Sequence, residues 1–258
     1  MKCGDDFLAR IVFLSCLFLL KAFSACAQEV KDDTDPTRAV FISLRDEYYN
    51  LGDNVSKNRV LFRSDKTVLQ RTGHLKPKGI IFRMDLPLVT ARSGSVTQTG
   101  LGDLYLQTLL FPRSGEKFTF AAGSGLVLPT ATGTLLGGGK WQAAPLASPV
   151  WFLPQNRGLF YVKFQDFFSF GGSRNRPDIH HLLTTPTLVW RYTRKSWVLL
   201  ETEAKIDWKT NNTASYRSGV QMGTILKHSI AVWIEPVIPW GAHREGRWTL
   251  KFSFVLVK

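Results

Sequence analysis

From Ser196 to Trp208 the apolar side chains Val198, Leu200, Ala204 and Ile206 alternate with the ionisable Glu201, Glu203, Lys205 and Asp207. A repeat of two is that of a β-strand, whose successive side chains point to opposite faces. A face with a row of charges cannot lie in a dry sandwich core, because unpaired buried charge is too costly. That face must meet water, and the other must meet something apolar.

The pattern recurs along the chain. Ile80, Phe82, Met84, Leu86 and Leu88 oppose Arg83 and Asp85, and Phe160, Val162, Phe164, Phe168 and Phe170 oppose Lys163 and Gln165, with Asp166 out of place on the apolar face. In the last segment Trp248, Leu250, Phe252, Phe254 and Leu256 alternate with Arg247, Thr249, Lys251 and Ser253. Helical periodicity is nowhere sustained, and no run after residue 27 approaches the ~18 to 20 apolar residues of a membrane helix. A membrane protein built this way has to be a closed barrel, in which every backbone group is paired between strands.

Turn-rich clusters divide the chain into about a dozen strands. They start near Ala39, Asn58, Gly79, Gly102, Lys117, Trp141, Leu159, His181, Ser196, Ser215, Ser229 and Trp248. From the fourth strand onward the links alternate between short (Arg113–Glu116, Pro154–Gly158, Arg194–Lys195, Lys227–His228) and long (Pro129–Lys140, Gly171–His180, Lys209–Ala214, Trp240–Arg247). Outer-membrane barrels have short periplasmic turns and longer external loops. This puts both chain ends in the periplasm, with only Arg71–Lys78 too long for its side. Aromatics near strand ends (Tyr48, Tyr49, Phe111, Trp151, Phe152, Trp190, Tyr192, Trp197, Trp208, Trp240, Trp248) suit the girdles of a membrane barrel. Pro87, Pro145, Pro149, Pro186 and Pro236 fall inside proposed strands, which predicts shortened strands or frequent bulges.

At the N-terminus Lys2 and Arg10 precede the apolar run Ile11–Leu20, and Ala25-Cys26-Ala27 supplies small residues for cleavage, the layout of a secretory signal peptide. The expected organisation is a signal peptide at 1–27, a polar periplasmic tail at 28–38 and an outer-membrane barrel at 39–258. A competing reading lipidates Cys26, although Phe23 stands where such signals carry Leu. Cleavage after Ala27 removes Cys3, Cys16 and Cys26, the only cysteines, so neither disulfide nor thiolate site is expected.

The faces assigned to the lumen carry Arg45, Arg63, Arg83, Lys163, Arg191, Lys205, Arg217 and Lys251 against Glu47, Asp65, Asp85, Asp103, Glu201, Glu203, Asp207 and Glu235, with Gln165 among them. These signs balance. The excess behind the net charge of +13 is therefore placed in the connections, with Arg92, Lys140, Arg174, Arg176, Lys209, Arg244 and Arg247 on the outer side and Arg71, Lys76, Lys78, Arg113, Arg157, Arg194 and Lys195 on the periplasmic side. Lipopolysaccharide phosphates suit the outer side chains as partners, and simple solvation explains them equally. Nucleic acid is not an expected partner.

No catalytic, cofactor or metal site is expected. The run Gly133–Lys140 resembles a phosphate-cradling loop, but Trp141 follows Gly139-Lys140 where Ser or Thr belongs, and Thr134 replaces the first glycine. His180 and His181 are adjacent on a strand, so they face opposite ways and cannot share a metal. A membrane-embedded lipid hydrolase needs a serine, a histidine and an orienting group on neighbouring strands. No spacing favours one, though Ser196, Ser215 and Ser229 start strands near His181 and His228.

Thr34-Asp35-Pro36-Thr37, Gly100-Leu101-Gly102-Asp103-Leu104, and Leu128-Pro129-Thr130 through Gly133 to Gly139-Lys140-Trp141 resemble a family of bacterial outer-membrane barrel transporters related to the phenol meta-pathway group and often labelled neuromedin U-like. The resemblance covers nearly the whole mature chain. It implies passage of small, often hydrophobic compounds across the outer membrane. The chain departs from the usual barrel ending, a terminal aromatic, by closing on Val257-Lys258. The expectation is an all-β transmembrane antiparallel barrel of about 12 strands, acting as a passive channel for a small organic solute. A structural or adhesive barrel with a plugged lumen and the lipid hydrolase are the alternatives.

Overall fold

The computed structural model describes residues 41–68, 79–111, 117–227 and 229–257. The expected signal peptide and tail, residues 69–78 and 112–116, His228 and Lys258 lie outside the described residues. Thirteen strands follow in order: β1 (Phe41–Gly52), β2 (Val55–Val68), β3 (Gly79–Ser93), β4 (Val96–Leu101), β5 (Leu104–Phe111), β6 (Phe118–Leu128), β7 (Lys140–Phe152), β8 (Gly158–Gly172), β9 (His180–Arg191), β10 (Ser196–Asp207), β11 (Thr213–Lys227), β12 (Ile230–Trp240) and β13 (Trp248–Val257).

Consecutive strands pair antiparallel, β4 and β5 excepted, and β1 pairs with β13 from Phe41 opposite Val257 to Asn50 opposite Trp248, which closes the sheet. Strands β4 and β5 both lie against β3 and form one stave interrupted at Gly102-Asp103, so the barrel has 12 staves. Gln98 and Gly100 share the inner face with Ala91 and Val89, whereas Tyr105 and Gln107 share it with Asp85 and Arg83. The inward side thus passes from even to odd residues, the mark of one extra residue in the stave. The fourth stave begins at Val96 and not near Gly102. Val96-Thr97-Gln98-Thr99 lacks apolar alternation, which hid its first half.

Burial separates the two faces. On β3, Phe82, Met84, Leu86 and Leu88 are exposed while Ile81, Asp85 and Val89 are buried. On β13, Leu250, Phe252 and Phe254 are exposed while Thr249, Lys251 and Ser253 are buried. The outside is apolar and the inside polar, the inverse of a water-soluble barrel.

All five prolines lie within strands of 11 to 15 residues, so the strands are not shortened. Each sits where pairing with one neighbour pauses. Pro87 faces the Gly102-Asp103 break, where only its carbonyl is used, accepting from Gly102 N at 2.9 Å. The β7–β8 register skips Pro145 and Pro149, the β9–β10 register skips Pro186, and the β11–β12 register skips Pro236. A residue without an N–H costs nothing where no ladder bond is made.

The connections 129–139, 173–179, 208–212 and 241–247 share one rim with two tight turns, Asp53-Asn54 and Gly94-Ser95. Asp53 and Asn54 both have positive φ, as a two-residue hairpin turn of the primed type requires. The short connections 153–157 and 192–195 lie at the other rim, with both ends of the barrel sequence. The two ends are called the loop rim and the turn rim below.

Candidate functional site

The inner wall is a set of ion pairs between residues directly opposite one another on adjacent strands. Arg63 holds Asp85 with two bonds of 2.6 Å, and one step along Arg83 holds Asp65 at 2.8 and 2.6 Å. The four residues form a square of alternating sign on β2 and β3, and each guanidinium fork matches the two oxygens of its carboxylate. Lys251 bonds Glu235 at 2.8 Å across β12 and β13, and Arg217 bonds Glu203 at 2.9 Å across β10 and β11.

Glu47, with no exposed surface, gathers more partners. Arg59 Nε donates to it at 2.6 Å, the Tyr49 hydroxyl at 2.5 Å and Arg45 at 3.3 Å. Arg59 also donates to the Tyr49 hydroxyl at 2.8 Å, and the Arg45 guanidinium lies 4.8 Å from the centre of the Trp233 ring. Arg59 and Lys57 face the lumen but were missing from the expected wall. The strand drawn from Asn58 omitted Lys57, and the alternation of Arg63 and Asp65 already pointed Arg59 inward. With both included, basic groups outnumber acidic ones on the inner wall, so the expected balance of sign does not hold.

Glu201, Lys163 and Arg191 share the inner face, and Asp207 accepts Lys209 N at 3.0 Å where its strand ends. Lys205 reaches loop 241–247 and bonds Glu245 at 2.7 Å. Gln165 donates to the Tyr105 hydroxyl at 2.6 Å, a chord across the inner side of the two intervening strands, β6 and β7. Gly125 makes room for it, since a Cβ there would lie 2.4 Å from that hydroxyl.

Asp103 has a different role from the other acidic residues. Its carboxylate accepts Ala131 N at 3.1 Å, Gly138 N at 2.6 Å and Gly139 N at 3.2 Å, so it is spent on loop 129–139. Thr130 Oγ1 accepts Leu104 N and donates to Gly102 O, both at 2.9 Å, and Thr132 N donates to Leu101 O at 3.0 Å. Leu136 is buried against the inward-facing Val89 and Ala91. The loop therefore folds into the mouth of the barrel. Its glycines do cradle an anion, and that anion is the chain's own Asp103. Two of the stretches that carry the family resemblance meet at this clamp.

Loop 173–179 braces the same region. Arg176 donates to Thr134 O at 2.5 Å, and Lys140 bonds Asp178 at 2.8 Å, which holds the Asp178 carboxyl below its usual range. Lys140, Arg176 and Arg247, which bonds Asp53 at 3.3 Å, are thus engaged within the protein. Where Glu245 of loop 241–247 meets the wall of β1, β2, β10, β11, β12 and β13 lies a cavity of about 320 Å³, lined by Tyr49, Lys57, Arg59, Glu203, Lys205 and Arg217.

On the outside, aromatics form two bands. At the loop rim Tyr48 pairs with Trp248 at 5.4 Å and Tyr216 stacks on Trp240 at 4.6 Å; at the turn rim Trp151 lies between Phe118 and Phe160 at 5.5 and 5.6 Å. Tyr49, Phe111 and Trp197, expected in these bands, point inward. Asp166 interrupts the apolar face near the loop rim, where it bonds His180 at 3.2 Å beside Trp208. His181 stacks on Phe167 inside. Among the described residues no serine hydroxyl bonds a histidine ring, and no group of three His, Cys, Asp or Glu side chains suits a metal.

No family model matches the chain, and no curated protein matches it. Solved structures do. An outer membrane channel from Pseudomonas putida F1 superposes with a TM-score of 0.70 over 90% of this chain and 100% of its own, at 13% identity. The fold is that of an outer-membrane β-barrel. The NanC porin matches with a TM-score of 0.55 and 8% identity over 84% of this chain and 99% of its own. The KdgM porin gives 0.52 and 11% over 84% and 98%. With the outward apolar belt and its aromatic bands, this porin-like barrel has its place in the outer membrane.

Proposed function

We propose that the protein is a passive outer-membrane channel for small organic solutes, with the inner-wall residues from Arg45 to Lys251 lining the path. The observation that carries this is a charged, hydrogen-bonded interior inside an apolar exterior. A barrel of this size leaves a restricted passage, between the filled interior of eight strands and the open pore of sixteen. The ion-pair rows keep the path polar, and loop 129–139 narrows its mouth. Purified protein in planar bilayers is expected to give discrete single-channel currents. Silence across salts and solutes overturns the transport reading and leaves the fold standing.

A barrel with a filled lumen is the second reading, favoured by the Tyr105–Gln165 chord and by Leu136 in the mouth. It predicts bilayer silence together with loss of envelope integrity on deletion. Lipopolysaccharide is the outer partner in either case, met by Arg174, Arg244 and Lys209 at the loop rim.

A further inference from the structure

The cavity at the loop rim has an excess of positive charge that the wall pairs do not neutralise. Arg217 is matched by Glu203 and Lys205 by Glu245, while Arg45 and Arg59 share the single carboxylate of Glu47. Lys57 stands opposite Tyr49 and, among the described residues, has no acidic group at ion-pair distance. An unmatched ammonium beside a low-dielectric wall attracts an anion more strongly than one in bulk water.

Apolar surface makes up part of the remaining lining, alongside Ser215 and Thr249. The Tyr49 ring, Leu51, Val237 and Pro239 line it beside the cations. Its ~320 Å³ is the room of about ten waters, at roughly 30 Å³ each. That suits a molecule with one charged end and a compact apolar body.

Resting on the channel reading, we infer that this cavity is a selectivity site for small organic monocarboxylates. Lys57 binds the carboxylate, and the Tyr49 hydroxyl and Arg59 are held beside it by Glu47. Lys57, the one cavity cation with no carboxylate in ion-pair contact among the described residues, selects a single negative charge. The apolar wall then favours an aromatic or aliphatic acid over an inorganic anion of the same charge.

The test titrates benzoate, benzyl alcohol and benzylamine into the full-length protein in detergent by calorimetry, and adds the same compounds to chloride currents in planar bilayers. Benzoate is expected to bind and to block, with the other two at least about tenfold weaker, the effect of one lost hydrogen bond to a charged group. Lys57→Gln is expected to weaken benzoate by a similar factor and Lys57→Arg to retain it. Equal binding of the three compounds, or benzoate binding unchanged in Lys57→Gln, overturns the site. Benzoate binding without any current overturns the channel reading and leaves the site; current without benzoate discrimination does the reverse.

Discussion

Glu47 is the most heavily partnered acidic group on the wall, and its removal is correspondingly costly. Glu47→Ala leaves Arg45 and Arg59 facing each other without a counter-charge, and breaking one side of a buried pair costs about 3 to 5 kcal/mol. The variant is expected to unfold at clearly lower denaturant concentration in detergent. Glycines under rings give a second case. A Cβ at Gly223 would fall 2.2 Å from the Trp197 indole, so Gly223→Ala should destabilise by about 1 to 3 kcal/mol, the cost of overpacking. An unchanged unfolding midpoint would count against that contact. Some of this was legible in the sequence: alternation alone gave the inward direction of Glu47, Arg63, Asp85 and Lys251. Which glycine accepts which ring was not, because that depends on cross-strand register.

At the scale of elements, the strand prolines and the glycine-rich loop each departed from expectation for an identifiable reason. Local sequence tells where a proline lies, but not that the neighbouring ladder pauses there. Thr187→Pro, one residue beyond the pause at Pro186 and paired with Glu201, should therefore destabilise by about 1 to 3 kcal/mol through the ladder hydrogen bond it removes, while Pro186→Ala should change little. Heat-dependent gel migration separates the two. Loop 129–139 is fixed by a carboxylate from a different stave, and nothing in its own sequence announces Asp103 as the partner. Asp103→Ala is expected to free the loop and give larger, noisier open currents; an unchanged trace would remove the loop from the path. The Lys140–Asp178 brace behaves oppositely to a histidine switch. Because the Asp178 carboxyl is depressed in the folded protein, the brace is present at neutral pH and is lost only as pH falls below the ordinary Asp range of about 4. Current noise should be flat through mild acidity and rise beyond it.

For the molecule as a whole, the alternation of faces and the rhythm of connections were enough to anticipate a closed barrel. The excess of positive charge at the mouth was not anticipated, because one misplaced strand start removed Lys57 from the count. A closed barrel of this kind should require detergent for extraction and shift on a gel when heated; release without detergent would contradict it. The Asp103 clamp also bears on how this surface can be altered. Loop 208–212 closes on itself around Thr210, Asn211 and Asn212, so an epitope placed there interrupts only a local turn. The same insertion after Thr132 would separate amides that share one carboxylate and loosen the β4–β5 stave beneath them. The longest loop of this rim is therefore the poorest place on it to attach a label, and a short polar turn the best.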